Sequence, residues 1–328
     1  MKTLVASAAL CLALGVASQA ESAELPLPKD GWVSWEVPAV EGSPAWCCWS
    51  SSDKDKRTAD VSACNLDGKR QGYGTRDKQK TDAIRVYARF AAGKVELVRG
   101  LAASCPVESK TPIQHLESIA TDDSARWLLG LAKAADTGYD EDALSALAMH
   151  RGEFAFDSLS TMARSDSEEE RRKQAIFWLA LLRGAPGADL TRNLMFNDES
   201  PEVRQHAAFA LTQTESPRKA TDLVKLGQTD KAGGVRAQAW FWLAHTGEAN
   251  AEAAIVAAAK QDPDDNVREQ AIFALSQLPD ERATPALIRA VEDRSMARSQ
   301  RERAMFWLAQ SDSPIAQTYL EKVLMATK

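Results

Sequence analysis

Arg236-Ala-Gln-Ala239-Trp-Phe241-Trp242-Leu243 decides the fold, because four other stretches repeat it. They are Arg172-Lys-Gln-Ala175-Ile-Phe177-Trp178-Leu179, Arg204-Gln-His-Ala207-Ala-Phe209-Ala210-Leu211, Arg268-Glu-Gln-Ala271-Ile-Phe273-Ala274-Leu275 and Arg301-Glu-Arg-Ala304-Met-Phe306-Trp307-Leu308. Successive arginines are 32 residues apart three times and then 33. An aspartate precedes each on nearly the same clock, at Asp166, Asp198, Asp230, Asp262 and Asp293. Self-similarity at such a period marks a stack of like units, none of which can bury its apolar face alone.

Each unit reads as two helices. With ~100° per residue and the alanine at zero, the leucine falls at about 40°, the arginine at about 60° and the preceding valine (Val203, Val235, Val267) at about −40°. These positions form one apolar stripe edged by the arginine, as an amphipathic helix requires. A second helix follows a short loop, as in Pro279-Asp-Glu-Arg-Ala-Thr-Pro285-Ala-Leu287, with Pro285 expected in its first turn. The column Trp178, Ala210, Trp242, Ala274, Trp307 alternates large with small, which would let neighbouring layers interlock without overpacking. Phe177, Phe209, Phe241, Phe273 and Phe306 lie across the helix from the stripe, at about 200° by the same count. Either the rings run along an outer ridge, exposed to a protein partner, or each tucks between adjacent first helices. Ala143 and Leu147 stand 32 residues before Ala175 and Leu179, so Asp140–Arg164 is one more unit. Ser145 replaces the phenylalanine there and ends that column.

The pattern of aspartate, then Val-Arg-x-x-Ala-x-x-x-Leu, then a second helix resembles the HEAT-like repeats, especially the short subtype related to phycobilisome-lyase repeats. The resemblance covers about 140–328 and implies a mainly α architecture, an α/α superhelix. It also implies that the aspartates and arginines (Asp166, Arg172, Asp198, Arg204, Asp230, Arg236, Asp262, Arg268, Asp293, Arg301) form a ladder between units, Asp198 meeting Arg204 or its neighbours. It does not imply lyase activity, since most such arrays are binding scaffolds and fold does not fix function.

The rest of the chain is different. Met1–Ala20 has a basic start, an apolar run and small residues at its end, which reads as a secretory signal. Residues 21–106 crowd Trp32, Trp35, Trp46 and Trp49 among glycines and prolines, which predicts a small β-rich domain. Gly31–Val37 is strand-like, and Ala83–Phe90 and Lys94–Arg99 flank Ala91-Ala-Gly93 as a hairpin. Polar loops are expected at Ser50–Arg57 and Asp67–Asp82. Cys47, Cys48, Cys64 and Cys105 all fall in this segment behind the signal, which argues for two disulfides. Adjacent Cα atoms are ~3.8 Å apart, short of the ~4.4–6.8 Å a relaxed bridge needs, so Cys47 and Cys48 should find separate partners. The reading leans to Cys48–Cys64 with Cys47–Cys105 over the crossed alternative. From residue 107 to 328 a solenoid of about six helix pairs is expected. Helices at Thr111–Ile119 and Asp122–Ala132 would form a degenerate first unit.

Val37-Pro38, Ala45-Trp-Cys-Cys-Trp49, Cys64, Gly72-Tyr-Gly74 and Cys105-Pro are similar to secreted bacterial HEAT-repeat proteins. Such proteins often sit beside genes for extracytoplasmic sigma factors and have no assigned enzymatic activity. The resemblance implies a periplasmic protein of the Gram-negative envelope, within a regulatory or stress system.

Chemistry is nearly absent from the sequence. None of His115, His150, His206 and His245 is followed by glutamate, so the iron-binding His-Glu pairs of HEAT-like deoxyhypusine hydroxylases are missing. No zinc-protease, nucleophile-elbow or phosphate-loop pattern occurs. Acidic residues outnumber basic ones, 46 to 40, which argues against nucleic acid as partner. No stretch of the mature chain is apolar for long enough to insert in a membrane. The expectation is a secreted, non-enzymatic interaction scaffold with no cofactor, no metal and an unidentified protein partner. The alternative is a lyase-like or accessory factor acting on a tetrapyrrole or a protein.

Overall fold

The computed structural model describes residues 25–49, 63–68, 72–134 and 137–326. The signal-like Met1–Ala20 and the loop expected at Ser50–Arg57 lie outside them. The N-terminal part holds strands β1 (Gly31–Pro38), β2 (Pro44–Trp49), β3 (Cys64–Asn65), β4 (Gly72–Lys80), β5 (Ala83–Ala91), β6 (Lys94–Ala102), β7 (Val107–Glu108) and β8 (Ile113–Leu116). A four-stranded sheet runs β6-β5-β1-β8, and β2–β4 and β3–β7 are two-stranded ribbons. The expected hairpin is β5–β6. Its turn holds Ala92 at φ 50° and Gly93 at φ 75°, the paired left-handed geometry that matches strand twist. Alanine tolerates it because its amide donates to Asp30 Oδ1 (2.8 Å) while the Gly93 amide donates to Lys29 O (2.8 Å).

Two expectations fail here. Thr111–Ile119 is not a helix, since Ile113–Leu116 pairs in parallel with Trp32–Trp35 of β1. Without β8 that edge of β1 would present unpaired backbone groups, a demand invisible in the local sequence. Asp67–Asp82 is not all loop either, because Gly72–Lys80 pairs with β2. Its charge-rich composition lacks apolar alternation, but a ribbon needs only backbone partners.

The two faces of the sheet do different work. Trp32, Tyr87 and Leu101 pack on one face with Cys47, Cys64 and Cys105. Both disulfides lie there: Cys47–Cys105 with Cα atoms 5.6 Å apart and Cys48–Cys64 at 5.2 Å, within the relaxed range. Val33, Trp35, Val37, Ile84 and Val86 on the other face join the core of the helical array.

That array comprises α1 (Thr121–Ala132) and six helix pairs. They are α2 (Asp140–Met149) with α3 (Glu153–Ser165), α4 (Glu169–Leu182) with α5 (Gly184–Asn197), and α6 (Pro201–Thr212) with α7 (Lys219–Thr229). Then come α8 (Gly233–Ala244) with α9 (Ala251–Gln261), α10 (Asp265–Ser276) with α11 (Asp280–Glu292), and α12 (Arg298–Ala309) with α13 (Pro314–Ala326). Pro285 lies inside α11 rather than in its first turn. Successive first helices of the pairs pack directly on one another, whereas successive second helices barely meet. The wider-spaced column lies outside the curve, so α4, α6, α8, α10 and α12 line its inner side.

The ladder links units, not residues within one unit. Arg204 donates to both carboxylate oxygens of Asp230, at 2.7 and 2.9 Å, and to the Asp198 carbonyl at 2.9 Å. Arg236 repeats this with Asp262 (2.8 and 2.7 Å) and the Asp230 carbonyl (3.0 Å). Arg172 also reaches Asp198, but through Nη2 and one carboxylate oxygen, and its Nε is left without a partner among the described residues. So the expected Asp198–Arg204 pairing is corrected: Arg204 touches only the backbone of Asp198 and reaches forward for its carboxylate. Each aspartate ends a second helix and accepts the amide two residues on, as Asp230 does from Ala232 (2.8 Å) and Asp262 from Asp264 (3.0 Å). Burial pulls the Asp230 and Asp262 carboxyls up, but their arginines and these amides outweigh it and hold both below the usual range. The ladder stops where the spacing slips to 33. Arg268 pairs with Asp265, Asp293 takes Lys260 (2.5 Å), and Arg301 caps the Met296 carbonyl (2.6 Å). Asp166 pairs within its own unit, with Arg171 (3.0 Å).

A buried polar chain joins sheet to array. Trp35 Nε1 donates to Ser124 Oγ (2.7 Å), which lies 2.8 Å from His150 Nε2, while His150 Nδ1 lies 2.7 Å from the Ala146 carbonyl. A neutral imidazole protonated on Nδ1 satisfies every bond. Burial pushes the His150 pKa down to about 4, outweighing the Ala146 bond. The unfolded chain therefore takes a proton near pH 6.5 that the fold refuses until about 4, and stability is lost as pH falls through that window. The loss should approach about 3 kcal/mol. Thermal melts from pH 7 to 4.5 should fall in the native chain and fall less in His150→Gln; equal slopes would remove His150 as the cause.

Ala210 and Ala274 are fully buried, while Trp178, Trp242 and Trp307 pack partly buried against the core. Ala274→Trp should thus destabilise by ~1–3 kcal/mol through overpacking, and an unchanged denaturation midpoint would refute the interlocking of large and small layers.

Candidate functional site: an aromatic ridge

The phenylalanines stand on the side of the first helices away from the second helices, on the inner face of the curve. Phe177, Phe209, Phe241 and Phe273 are partly buried and Phe306 is 49% exposed. The rings tuck against one another and keep part of their surface in solvent. Phe177 stacks on Phe209 with centroids 5.9 Å apart, and Phe241 on Phe273 at 5.7 Å. The gaps between these stacked pairs are bridged by tryptophan: Phe209–Trp242 at 4.9 Å and Phe273–Trp307 at 4.8 Å. Within a helix, Phe177–Trp178, Phe241–Trp242 and Phe306–Trp307 meet edge-on at 5.3, 4.8 and 5.0 Å.

Contact therefore runs unbroken from Trp178 to Phe306, and the Trp/Ala alternation explains its two-unit period. Where the unit carries tryptophan, that ring reaches back to the previous phenylalanine. Where it carries alanine, the phenylalanines of neighbouring units stack directly.

Polar groups rim the ridge. The His206 ring packs edge-on against Phe209 at 5.7 Å, and burial, followed by the charge of Lys173, lowers its pKa. His245 tilts over Phe241 at 4.6 Å. A cleft of about 240 Å³ opens between Phe273 and Trp307, edged by Gln270 and the Arg303–Glu269 ion pair (2.8 Å). The indole Nε1 atoms of Trp242 and Trp307 are buried without a hydrogen-bond partner. Among the described residues no three His, Cys, Asp or Glu side chains are grouped to hold a metal, and no helix is long and apolar enough to cross a membrane.

The structure gathers the five phenylalanines on one surface, while the ladder residues lie at the junctions between units. It also adds a member the sequence did not suggest. Trp46 of β2 meets Trp178 edge-on at 5.8 Å and extends the ridge onto the disulfide-bonded part. Its sequence signal is indirect: the missing ring at Ser145, one unit before Phe177.

Residues 156–240 and 229–305 match the HEAT repeats family. No curated protein sequence is significantly similar to the chain. Solved structures with similar folds include Escherichia coli YibA, at 19% identity over 61% of this chain and 81% of that one, TM-score 0.38. Human deoxyhypusine hydroxylase in complex with glycerol matches at 16% identity over 62% and 88%, TM-score 0.28. The CpcE–CpcF complex of phycocyanin lyase from Nostoc matches at 15% identity over 62% and 81%, TM-score 0.32. The two overlapping matches lie within the array, so residues 156–305 carry HEAT repeats.

Proposed function

We propose that the chain is a secreted, periplasmic and non-enzymatic scaffold that docks a protein partner along the aromatic ridge, within a regulatory or stress system of the bacterial envelope. The observation that carries this reading is the continuous row of partly covered rings on the inner face of the array. An amphipathic helix ordinarily turns polar residues to solvent at such positions. A fully covered phenylalanine buries ~150–250 Å²; with Phe306 half exposed and the other four rings mostly covered, the row leaves roughly 200–400 Å², which reaches the lower end of the largest apolar patch on a typical monomer. Pre-stacked rings also lose little further freedom on binding, which favours them as anchors. The extracytoplasmic placement is supported by two disulfides and the signal-like Met1–Ala20.

The test is Phe241→Ser combined with Phe273→Ser. These rings sit on the ridge and not in the apolar stripe, so the double variant should still melt cooperatively. A protein crosslinked by the native chain in envelope extract should no longer be captured. A variant that folds and captures the same protein would exclude the ridge as the docking surface; one that fails to fold would place the column in the core.

A further inference from the structure

Trp46 occupies a place that the repeat leaves vacant. In later units a tryptophan packs on the phenylalanine of the unit before, Phe209–Trp242 and Phe273–Trp307, with both ring planes at 41°. Trp178 is the matching tryptophan of α4, and the residue one unit earlier, on α2, is Ser145. Ser145 has no ring to offer, and its hydroxyl donates to the Asp142 carbonyl at 2.8 Å. The ring that meets Trp178 comes instead from β2, as Trp46 at 5.8 Å and 69°. The ridge thus has its first rung supplied by a different part of the chain.

The attachment of that rung is covalent. Cys47 and Cys48 follow Trp46 directly, and their bridges run to Cys105, just beyond β6, and to Cys64 at the start of β3. β2 is not a strand of the four-stranded sheet; its ladder partner is β4. The carbonyl of Trp46 lies 3.0 Å from the Cys105 sulfur, so the bridge sits directly against the residue it holds. Cys47, Cys64 and Cys105 are buried, whereas Cys48 is partly exposed.

We propose that β2 is a disulfide-held plug on the first rung of the aromatic ridge, and that a dithiol reductant opens it and uncovers Trp178. A thiolate of the reductant attacks the accessible Cys48 sulfur, and Cys64 leaves as a thiolate that takes a proton. The second thiol of the reductant then closes on its own bound sulfur and releases Cys48 as a thiol. This exchange moves two electrons and two protons, leaving the reductant as its disulfide. The same exchange at the buried Cys47–Cys105 bridge follows once β2 has loosened. Whether or not the ridge docks a partner, the device concerns only the ring contact and the two bridges.

Hydrogen exchange read by mass spectrometry tests it on the full chain in oxidised form, after dithiothreitol, and in oxidised Trp46→Ala. Loss of one edge-to-face ring pair corresponds to exchange roughly two- to tenfold faster in peptides covering Phe177–Leu182 of α4. That rise is expected both after reduction and in Trp46→Ala, with peptides from α8 to α12 unchanged. Unchanged protection of α4 in either sample overturns the proposal. Acceleration across the whole array overturns it too, since the bridges would then support the fold in general and not a local plug.

Discussion

The middle of the array depends on one bond geometry: an arginine that reaches forward 26 residues to a carboxylate and back six to a carbonyl. Arg204 and Arg236 each hold the aspartate of the next turn with two parallel hydrogen bonds and grip the backbone of the previous one. Exposed pairs of this type contribute ~0–1 kcal/mol. Here the side chains of Arg204 and Asp230 are 3% and 5% exposed, which changes the estimate. A buried pair whose polar atoms are all engaged need not add net stability, but losing one member leaves an uncompensated charge. The bond therefore fixes geometry: where it forms, it sets the rotation of one unit on the next.

The aromatic ridge runs past the end of the ladder, so the apolar stripe also holds the stacking there. Rings 64 residues apart can make equivalent contacts only if two successive junctions are the same. Phe209–Trp242 and Phe273–Trp307 agree to within 0.1 Å in separation and share one interplanar angle, although the second spans the place where the spacing slips by a residue. The N-terminal sheet answers a separate constraint. A stack of helices must be closed at its ends, and the sheet closes this one by placing Val33, Trp35 and Val37 in the common core. The Trp35–Ser124–His150 chain then fixes the register of strand to helix.

How much of this the sequence disclosed follows from the range of each interaction. The repeat, the helix pairs and the aromatic column were legible because periodicity is local and was written five times. The disulfide pairing agrees with the preferred reading; the strain between adjacent cysteines excluded one of three connectivities, and nothing local chose between the other two. The β8 strand was not legible: Ile113–Leu116 is extended because β1 has an open edge, and nothing within the segment says so. The direction of the ladder was misread for a related reason. Asp198 and Arg204 are close in sequence, but helical geometry sends the Arg204 side chain to the next loop. Trp46 was missed because its partner lies 132 residues away in sequence, and the only clue was the absence of a ring at Ser145.

The central claim is that the inter-unit arginine–carboxylate bond sets the stacking, and a double-mutant cycle on Arg236→Gln and Asp262→Asn tests it most directly. Each single change should cost ~3–5 kcal/mol, because it strands a buried partner. The double variant should lose clearly less than the sum, with a coupling of at least ~2 kcal/mol. Losses that add within ~0.5 kcal/mol would contradict the account, and would mean that the apolar stripe alone positions one unit on the next.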